Sequence, residues 1–290
     1  MKAKLILALI AATGIITSVV YATGTEPVLV SSINAGPITA SWIQLNDVFT
    51  GNWQQYGELF TNLQGNLFSR IFLFIVTLVP VVFFFHYLAI GPKKFSHSGS
   101  QVYYFNKFNR IIHWAAALSF SLLVITGLLV ILGKMFGGGS VIMNGRSVHI
   151  FAAAIFLISV VPMFLMWLGN MFPTFYDIKW MIIMGGYLSK KKKAVPAGKF
   201  NAGQKMWFWL ATTGGFVMAY TGYYLWSFQG NVDTLRLMAI IHNFLGAAMT
   251  ALFLVHLYMS LFAIAGSLGS MISGYKSQEE IDVLHSRYKS

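Results

Sequence analysis

The chain contains no cysteine and few charged residues. Of its 290 residues, 10% are Asp, Glu, Lys or Arg, whereas an ordinary soluble domain carries about 25%. The lack of cysteine excludes disulfides, thiolate zinc sites, cysteine-held iron–sulfur clusters and covalent cofactor attachment through C-x-x-C-H. The scarcity of charge and the 57% content of hydrophobic residues indicate a membrane protein and argue against a nucleic-acid binder.

The apolar residues are grouped in five runs that are each long enough to cross a bilayer. The runs lie near residues 71–90, 111–132, 148–168, 206–228 and 235–266. A helix rises about 1.5 Å per residue, so about 20 residues span a hydrocarbon core of about 30 Å. The sequence therefore predicts an all-α transmembrane bundle.

The first 22 residues have the order of an export signal. Lys2 and Lys4 precede an apolar run that ends at Tyr21 and Ala22, so we expect cleavage after Ala22; an uncleaved anchor helix is the alternative. Residues 23–70 are polar and mixed, which predicts a periplasmic segment. Residues 71–90 are then an extra transmembrane helix, residues 104–275 a four-helix core and residues 276–290 a tail.

The basic residues predict the orientation of the bundle. Fourteen Lys and Arg residues lie in the loops between spans one and two, in those between spans three and four, and in the tail, against four on the other side of the mature chain. The positive-inside rule places the larger group in the cytoplasm. We therefore expect a multi-pass protein of the inner membrane with a cytoplasmic C-terminus.

Four of the seven histidines lie near the ends of predicted spans, at two depths. His149 and His242 are expected near the exported side, and His113 and His256 near the cytoplasm. From His242 to His256 the helix turns about four times, so the two side chains share one face, about 21 Å apart along the axis. The remaining histidines are predicted not to be ligands: His86, His97 and His285.

Imidazole is the main metal-binding group that the spans contain. Zinc would need four ligands at each site, whereas two imidazoles on opposed helices suit the two axial positions of a haem iron. Bis-histidine ligation leaves no open position on the metal, which favours outer-sphere electron transfer. For any single histidine a hydrogen-bonded structural role is the simpler interpretation, but two facing pairs at two depths favour ligation. Room for a porphyrin is expected at Gly246, Gly127 or Gly222, with close helix packing as the alternative.

Four pieces of sequence within residues 104–275 resemble the gamma subunit of membrane-bound formate dehydrogenase, a di-haem cytochrome b. They are Arg110-Ile111-Ile112-His113-Trp114, Gly145-Arg146-Ser147-Val148-His149, Lys199-Phe200-Asn201-Ala202-Gly203-Gln204-Lys205 and His256-Leu257-Tyr258-Met259. The third piece is the most specific, because histidine pairs occur in many di-haem cytochromes. The residues before the core, including the helix at 71–90, depart from the short form of that family.

The resemblance implies two haem b groups and their iron ligands. His149 and His242 match the ligands of the haem near the periplasm, and His113 and His256 match those of the haem near the cytoplasm. These are the same two pairs that the depth of the histidines suggests. The chain would then transfer electrons across the membrane one at a time.

The resemblance also implies a menaquinone site beside the cytoplasmic haem, formed by Asn201, Gly203 and Gln204. The alternative is a polar helix start, in which Asn201 is the N-cap and Gly203 allows a close approach of the chain. Lys205 and Asp177 are candidates for a proton path, but a solvated loop charge is the simpler interpretation for both.

The partners implied by the resemblance are an iron–sulfur beta subunit and a molybdenum or tungsten catalytic alpha subunit that oxidises formate. The present chain would carry electrons to menaquinone, contribute to the proton-motive force and not itself oxidise formate. One alternative is the di-haem cytochrome b subunit of another periplasmic dehydrogenase, such as a hydrogenase. Another is a haem-free transporter or scaffold in which the histidines are polar contacts between helices.

Overall fold

The computed structural model describes residues 56–96 and 99–288, which form a helical bundle with a folded cap at one end. The predicted signal at 1–22, most of the predicted periplasmic segment at 23–70, and His97 lie outside the described residues. The helical elements begin with α1 (Gly57–Asn62), a π turn (Leu63–Leu67) and α2 (Phe68–Ala89), which are continuous. This run therefore starts before the predicted boundary at residue 70.

The core follows in chain order. Strand β1 (Gln101–Tyr103) leads into α3 (Lys107–Ile131), a 3₁₀ turn (Gly133–Phe136), α4 (Gly139–Met171), α5 (Phe175–Ile182) and a second 3₁₀ turn (Met184–Gly186). After a lysine-rich loop come α6 (Ala202–Trp209), a π turn (Leu210–Gly214), α7 (Gly215–Ser227), α8 (Val232–Tyr258) and a third π turn (Met259–Ala263). The described part ends with α9 (Gly269–Ser273), strand β2 (Tyr275–Ser277) and α10 (Gln278–Leu284).

Four of the helical runs are long and apolar enough to cross a membrane. They are Gly57–Ala89, Lys107–Ile131, Gly139–Met171 and Val232–Ala263. The fourth predicted span, residues 206–228, corresponds to the unbroken run of α6, π turn and α7, which is rich in Gly, Thr, Trp and Tyr and therefore less apolar. The predicted all-α multi-pass membrane fold is confirmed.

Asparagine side chains begin two of the long helices. Asn106 Oδ1 accepts a hydrogen bond from Asn109 N at 2.8 Å at the start of α3. Asn231 Oδ1 accepts one from Thr234 N at 2.8 Å at the start of α8. Each bond satisfies a main-chain N–H that the first turn of a helix leaves without a partner.

Helices α3 and α4 are adjacent and antiparallel, and a glycine permits their close approach. A Cβ atom added at Gly145 would lie 2.5 Å from Leu129 Cδ2, so the Leu129 side chain would have to move to make room for it. Residues four apart share a helix face. The contact at Gly145 therefore also turns His149 towards α3.

The extra helix α2 packs along α8, the helix that carries His242 and His256. Phe83 stacks on Tyr258, with 4.1 Å between the ring centroids. Further along, a Cβ added at Gly246 would lie 3.6 Å from Phe72 Cζ. The sequence suggested that Gly246 leaves room for a porphyrin, with close helix packing as the alternative. In the structure Gly246 faces the ring of Phe72 in α2, which agrees with close helix packing.

Two histidines that were predicted not to be ligands form hydrogen bonds to distant parts of the chain. His86 Nε2 donates to the Tyr187 carbonyl at 2.9 Å, and His86 Nδ1 accepts from the Tyr258 hydroxyl at 2.5 Å. His285 Nδ1 donates to the Gly198 carbonyl at 2.8 Å. Burial lowers the pKa of His285 to about 3, so the ring is neutral where it meets this carbonyl.

The predicted tail is folded onto the bundle as far as residue 288. Strand β2 pairs antiparallel with β1, and Val195 N donates to the Val283 carbonyl at 2.7 Å. Lys276 and Glu280 form an ion pair of 2.8 Å with side chains only 6% and 3% exposed. This end, with β1, β2, α10 and loop 187–201, is called the basic end below; the end with residues 132–138 and 228–231 is called the opposite end.

Two neighbouring glutamates allow a test of the cap. Glu280→Gln should lower the free energy of unfolding by about 3 kcal/mol or more, because it leaves the Lys276 ammonium buried without its counter-charge. Glu279→Gln is the matched control, since the pair between Glu279 and Lys192 has side chains 38% and 43% exposed and should matter little. Thermal or denaturant unfolding in detergent measures both; equal effects would contradict the buried pair.

Candidate functional site

The structure brings the four predicted ligand histidines together as two facing pairs inside the bundle. His113 of α3 faces His256 of α8, with 6.4 Å between ring centroids and 57° between ring planes. His149 of α4 faces His242 of α8, also at 6.4 Å and with 58° between planes. The two pairs have nearly the same geometry although different helices contribute to them. They are called the basic-end pair and the opposite-end pair.

This separation is that of two imidazoles bound to one metal ion from opposite sides. An imidazole nitrogen binds a transition metal at about 2.0–2.1 Å and lies about 1.1 Å from its own ring centroid, so trans imidazoles have centroids about 6.3 Å apart. Within residues 56–96 and 99–288, no group of three or more His, Asp or Glu could hold a metal ion. The pairs therefore fit a metal whose other ligands come from a bound planar group, such as a porphyrin.

Each histidine of the opposite-end pair is hydrogen bonded through Nδ1 to a threonine of a neighbouring helix. Thr126 Oγ1 lies 2.8 Å from His149 Nδ1, and Thr221 Oγ1 lies 2.8 Å from His242 Nδ1. Each hydroxyl also donates to a carbonyl one turn earlier in its own helix, at 2.6 and 2.9 Å. Because a hydroxyl has one proton, its oxygen accepts from the histidine Nδ1–H, and Nε2 keeps the lone pair that binds metal.

A glycine follows each of these threonines and makes room for the imidazole. A Cβ added at Gly127 would lie 3.4 Å from His149 Cε1, and one added at Gly222 would lie 3.3 Å from His242 Cε1. Any longer side chain would push against the ring. Gly127 and Gly222, which the sequence suggested for porphyrin contact, thus lie against the imidazoles themselves.

The basic-end pair has different surroundings. His113 Nδ1 is buried and has no hydrogen-bond partner among the residues that the structure describes. The ring of His256 is stacked on the indole of Trp207, with 5.5 Å between centroids and 19° between planes. An aromatic face therefore supports one ring of this pair, and no threonine bond of the opposite-end kind is formed at His113.

The volume between the two pairs is filled by hydrophobic side chains. Phe120 of α3 contacts Phe156 of α4 at 5.3 Å and Phe253 of α8 at 5.1 Å between ring centroids. Val160 and Met249 complete the same buried cluster. The two pairs are thus connected by a packed apolar core in which water has little room.

The Asn201 loop forms the start of α6, as the structural alternative for this motif predicts. Asn201 Oδ1 accepts from Gln204 N and Gln204 Oε1 accepts from Asn201 N, both at 2.9 Å, which is a capping box. A Cβ added at Gly203 would lie 3.0 Å from the Trp180 ring, so Gly203 permits a close approach. The box uses the two amide oxygens and leaves each side-chain NH2 group as a donor.

The same helix places this loop near the basic-end pair. Trp207, which stacks on His256, lies three residues after Gln204 in α6 and therefore on a neighbouring part of the same face. The residues that the resemblance implies for the quinone site thus lie within one to two helical turns of Trp207, which contacts His256. They are Asn201, Gly203 and Gln204.

Lys205 and Asp177 form a buried ion pair. Their charged atoms are 2.7 Å apart, and their side chains are 6% and 11% exposed. Asp177 Oδ2 also accepts from Thr174 N at 2.7 Å, whereas Asp177 Oδ1 is buried and makes no hydrogen bond to any described residue. The interpretation of these two residues as solvated loop charges is wrong, because α5 and α6 pack them against each other.

Sequence reasoning missed the two threonines. The signal available was a threonine followed by glycine within a predicted span, at the depth of a candidate ligand, in residues 126–127 and again in 221–222. The same dipeptide occurs elsewhere in the chain, so the pattern identifies the sites only once the depth of the helices is known.

The close contact at Gly127 leads to a stability prediction. Gly127→Leu should lower the free energy of unfolding by about 1–3 kcal/mol, because the new side chain overpacks the His149 ring. Gly169→Leu is the control, since a Cβ at Gly169 meets nothing within 4 Å. Unfolding of the two purified variants in the same detergent measures the difference, and an unchanged Gly127 variant would show that the ring is not confined there.

Sequence comparison finds a matching family and several similar proteins. A family model described as prokaryotic cytochrome b561 matches residues 104–274. The nitrate-inducible formate dehydrogenase cytochrome b556(Fdn) subunit of Escherichia coli (strain K12) is 29% identical over 191 residues, covering 62% of this chain and 86% of the relative. The formate dehydrogenase cytochrome b556 subunit of Haemophilus influenzae is 25% identical over 177 residues, covering 57% of this chain and 73% of the relative.

Proposed function

The chain belongs to the prokaryotic cytochrome b561 family, and on that premise we propose that it is the membrane cytochrome b subunit of a quinone-linked formate dehydrogenase. The observation that carries the proposal is the presence of two facing histidine pairs at 6.4 Å, one at each end of a membrane-spanning bundle. The likeness to relatives named as formate dehydrogenase cytochrome b556 subunits supports the choice of complex.

Haem b is the group implied by the family, and the chain offers two places for it. We assign His149 and His242 as the iron ligands at the opposite end, and His113 and His256 as those at the basic end. When bound, b-type haem supplies a reversible one-electron carrier at each place. Two histidines at each place would leave a bound haem iron without an open position for oxygen, so each site suits electron transfer.

The protein itself fixes the distance between the two histidine pairs and excludes water from the space between them. Helix α8 is regular from Val232 to Tyr258, so His242 and His256 are about 21 Å apart along its axis. The hydrophobic side chains between the pairs exclude water and reduce the solvent rearrangement that accompanies a change of charge. The chain then conducts electrons from one side of the membrane to the other.

The orientation follows from the distribution of lysine and arginine. The basic end is assigned to the cytoplasm and the opposite end to the periplasm, in the inner membrane, with the N-terminal segment periplasmic and the C-terminus cytoplasmic. An iron–sulfur subunit would then dock near residues 134–146 and 229–234, next to the opposite-end pair. Formate is oxidised by a molybdenum or tungsten subunit beyond it.

Menaquinone is the proposed electron acceptor at the basic end. The NH2 groups of Asn201 and Gln204 are donors that suit a quinone carbonyl, and Gly203 lets α6 start close to Trp180. Lys205 and Asp177 form a buried ion pair beside this helix start and are candidates for the proton path. Quinone reduced here takes protons from the cytoplasm while formate releases its proton outside, which builds a proton-motive force without a pump.

The ligand assignment predicts haem content. His149→Ala or His242→Ala should lose one haem of two, and His113→Ala or His256→Ala the other, because each substitution removes an axial ligand. His86→Ala is the control, since that ring bonds to Tyr258 and Tyr187 and should leave both haems in place. A pyridine haemochrome count per chain gives the answer, and retention of two haems in any ligand variant would refute that ligand.

The choice of complex is tested on the tagged full-length chain in native membranes. We expect formate to reduce the b-type absorption band and a formate-oxidising subunit to co-purify. Reduction by hydrogen but not by formate, together with a co-purifying hydrogenase, would assign the chain to the other dehydrogenase class. A purified chain with no b-type spectrum would instead contradict the cytochrome assignment.

Substitutions at Asn201 and Gln204 can test the quinone site without removing the helix cap. Asn201→Asp and Gln204→Glu keep the capping oxygens but remove the NH2 donors, so each should slow menaquinone reduction by about tenfold, the equivalent of one hydrogen bond. Asn106→Asp makes the same change at another helix start of the basic end and should leave the rate unaffected. Steady-state quinone reduction at equal haem content measures this; full activity in the Asn201 and Gln204 variants would exclude both amides.

A further inference from the structure

We propose that Thr126 and Thr221 are positioning residues that lower the reduction potential of the haem at the opposite end, by accepting hydrogen bonds from His149 and His242. This inference rests on the proposed ligation of that haem by the two histidines. It concerns a property of the site, its electron affinity, that the ligand assignment alone does not determine.

The first step is the direction of the two hydrogen bonds. The Thr126 hydroxyl donates its proton to the Leu122 carbonyl at 2.6 Å, and the Thr221 hydroxyl donates to the Val217 carbonyl at 2.9 Å. The only proton left for each 2.8 Å contact is therefore the one on the histidine Nδ1. The threonines thus fix the tautomer in which Nε2 is the ligand atom.

The second step is that these bonds are shielded from water. Thr126 is 6% exposed and Thr221 is 1% exposed. In an apolar interior a hydrogen bond is electrostatically stronger than in water. The glycines that follow the threonines bring the Cε1 edge of each ring against the neighbouring helix, so the ring has little freedom to turn away from the hydroxyl.

The third step connects the bond to the metal. An Nδ1–H that donates to an acceptor makes the imidazole a more basic ligand, and a more basic ligand favours the oxidised iron, which carries one more positive charge. Two such ligands act on the same metal at the opposite end. At the basic end His113 Nδ1 has no hydrogen-bond partner within the described part of the chain and provides no such donation.

The consequence is a difference between the ends that favours one direction of electron flow. Thr126 and Thr221 destabilise the reduced form of the carrier that would receive electrons from the iron–sulfur subunit. They therefore make transfer onward to the basic end, and to quinone, more favourable. The threonines themselves contact neither haem nor quinone and act only through the two histidines.

The test is a potentiometric titration of Thr126→Val and Thr221→Val. To observe one haem alone, the titrations are done in the His113→Ala background, which retains the opposite-end site. At a fixed ambient potential the ratio of reduced to oxidised haem should rise by about tenfold in each variant, which is about 59 mV for a one-electron couple. Thr126→Ser and Thr221→Ser keep the acceptor oxygen and should return to the original potential.

A matched control separates the hydrogen bond from a general effect of the substitution. Thr212 is fully buried and donates to the Phe208 carbonyl at 2.7 Å, but within residues 56–96 and 99–288 it forms no hydrogen bond with any of the four paired histidines. Thr212→Val makes the same chemical change and should leave the potential unaltered. The low-spin electron paramagnetic resonance signal gives a second readout, because weaker imidazole donation changes its spread of g values.

Each outcome has a distinct meaning. An unchanged potential and signal in both valine variants, with the haem retained, would overturn this inference and leave the proposed function intact. A chain that binds no haem would overturn both. If the valine variants lose the haem, retention by the serine variants supports the hydrogen bond, and loss by both series contradicts it.

Discussion

The distance between opposed imidazoles is the constraint on which the rest of the bundle depends. Two half-buried imidazole rings held 6.4 Å apart are too far apart to bond to each other, and a polar nitrogen is costly to bury without a partner. The metal centre proposed above would bind between the two rings of each pair and complete the arrangement. Helix contacts such as Gly145 against Leu129 and Gly127 against His149 serve to present the rings at this distance.

Helix α8 organises the molecule because it supplies one histidine to each pair. Its regular repeat fixes the distance between the pairs along the helix axis, while α3 and α4 supply the facing histidines at different depths. The extra helix α2 covers another face of α8 through contacts such as Phe83 on Tyr258. The folded cap at the basic end is hydrogen bonded to the loop before α6. These bonds fix the position of the loop next to the proposed quinone site.

The sequence was sufficient for features that depend on one helix. The shared face of His242 and His256 follows from the helical repeat, and the cap at Asn201 follows from residue type. The two histidine pairs join different helices and were still predicted, from the depth of each residue and from the family resemblance. Other features that depend on how helices are placed against each other could not be predicted. The hydrogen bonds of Thr126 and Thr221 join different helices. The burial of Asp177 and Lys205 depends on the packing of α5 on α6. The pairing of β2 with β1 folds a segment that was predicted to be a tail.

The central claim is that each chain holds two irons, each between two histidines of different helices. Near-infrared magnetic circular dichroism of the oxidised wild-type protein tests it directly, because the charge-transfer band reports the axial ligands of low-spin haem. We expect two haems per chain, both with the band of bis-imidazole ligation. A single haem per chain, or a band from any other ligand pair, would contradict it.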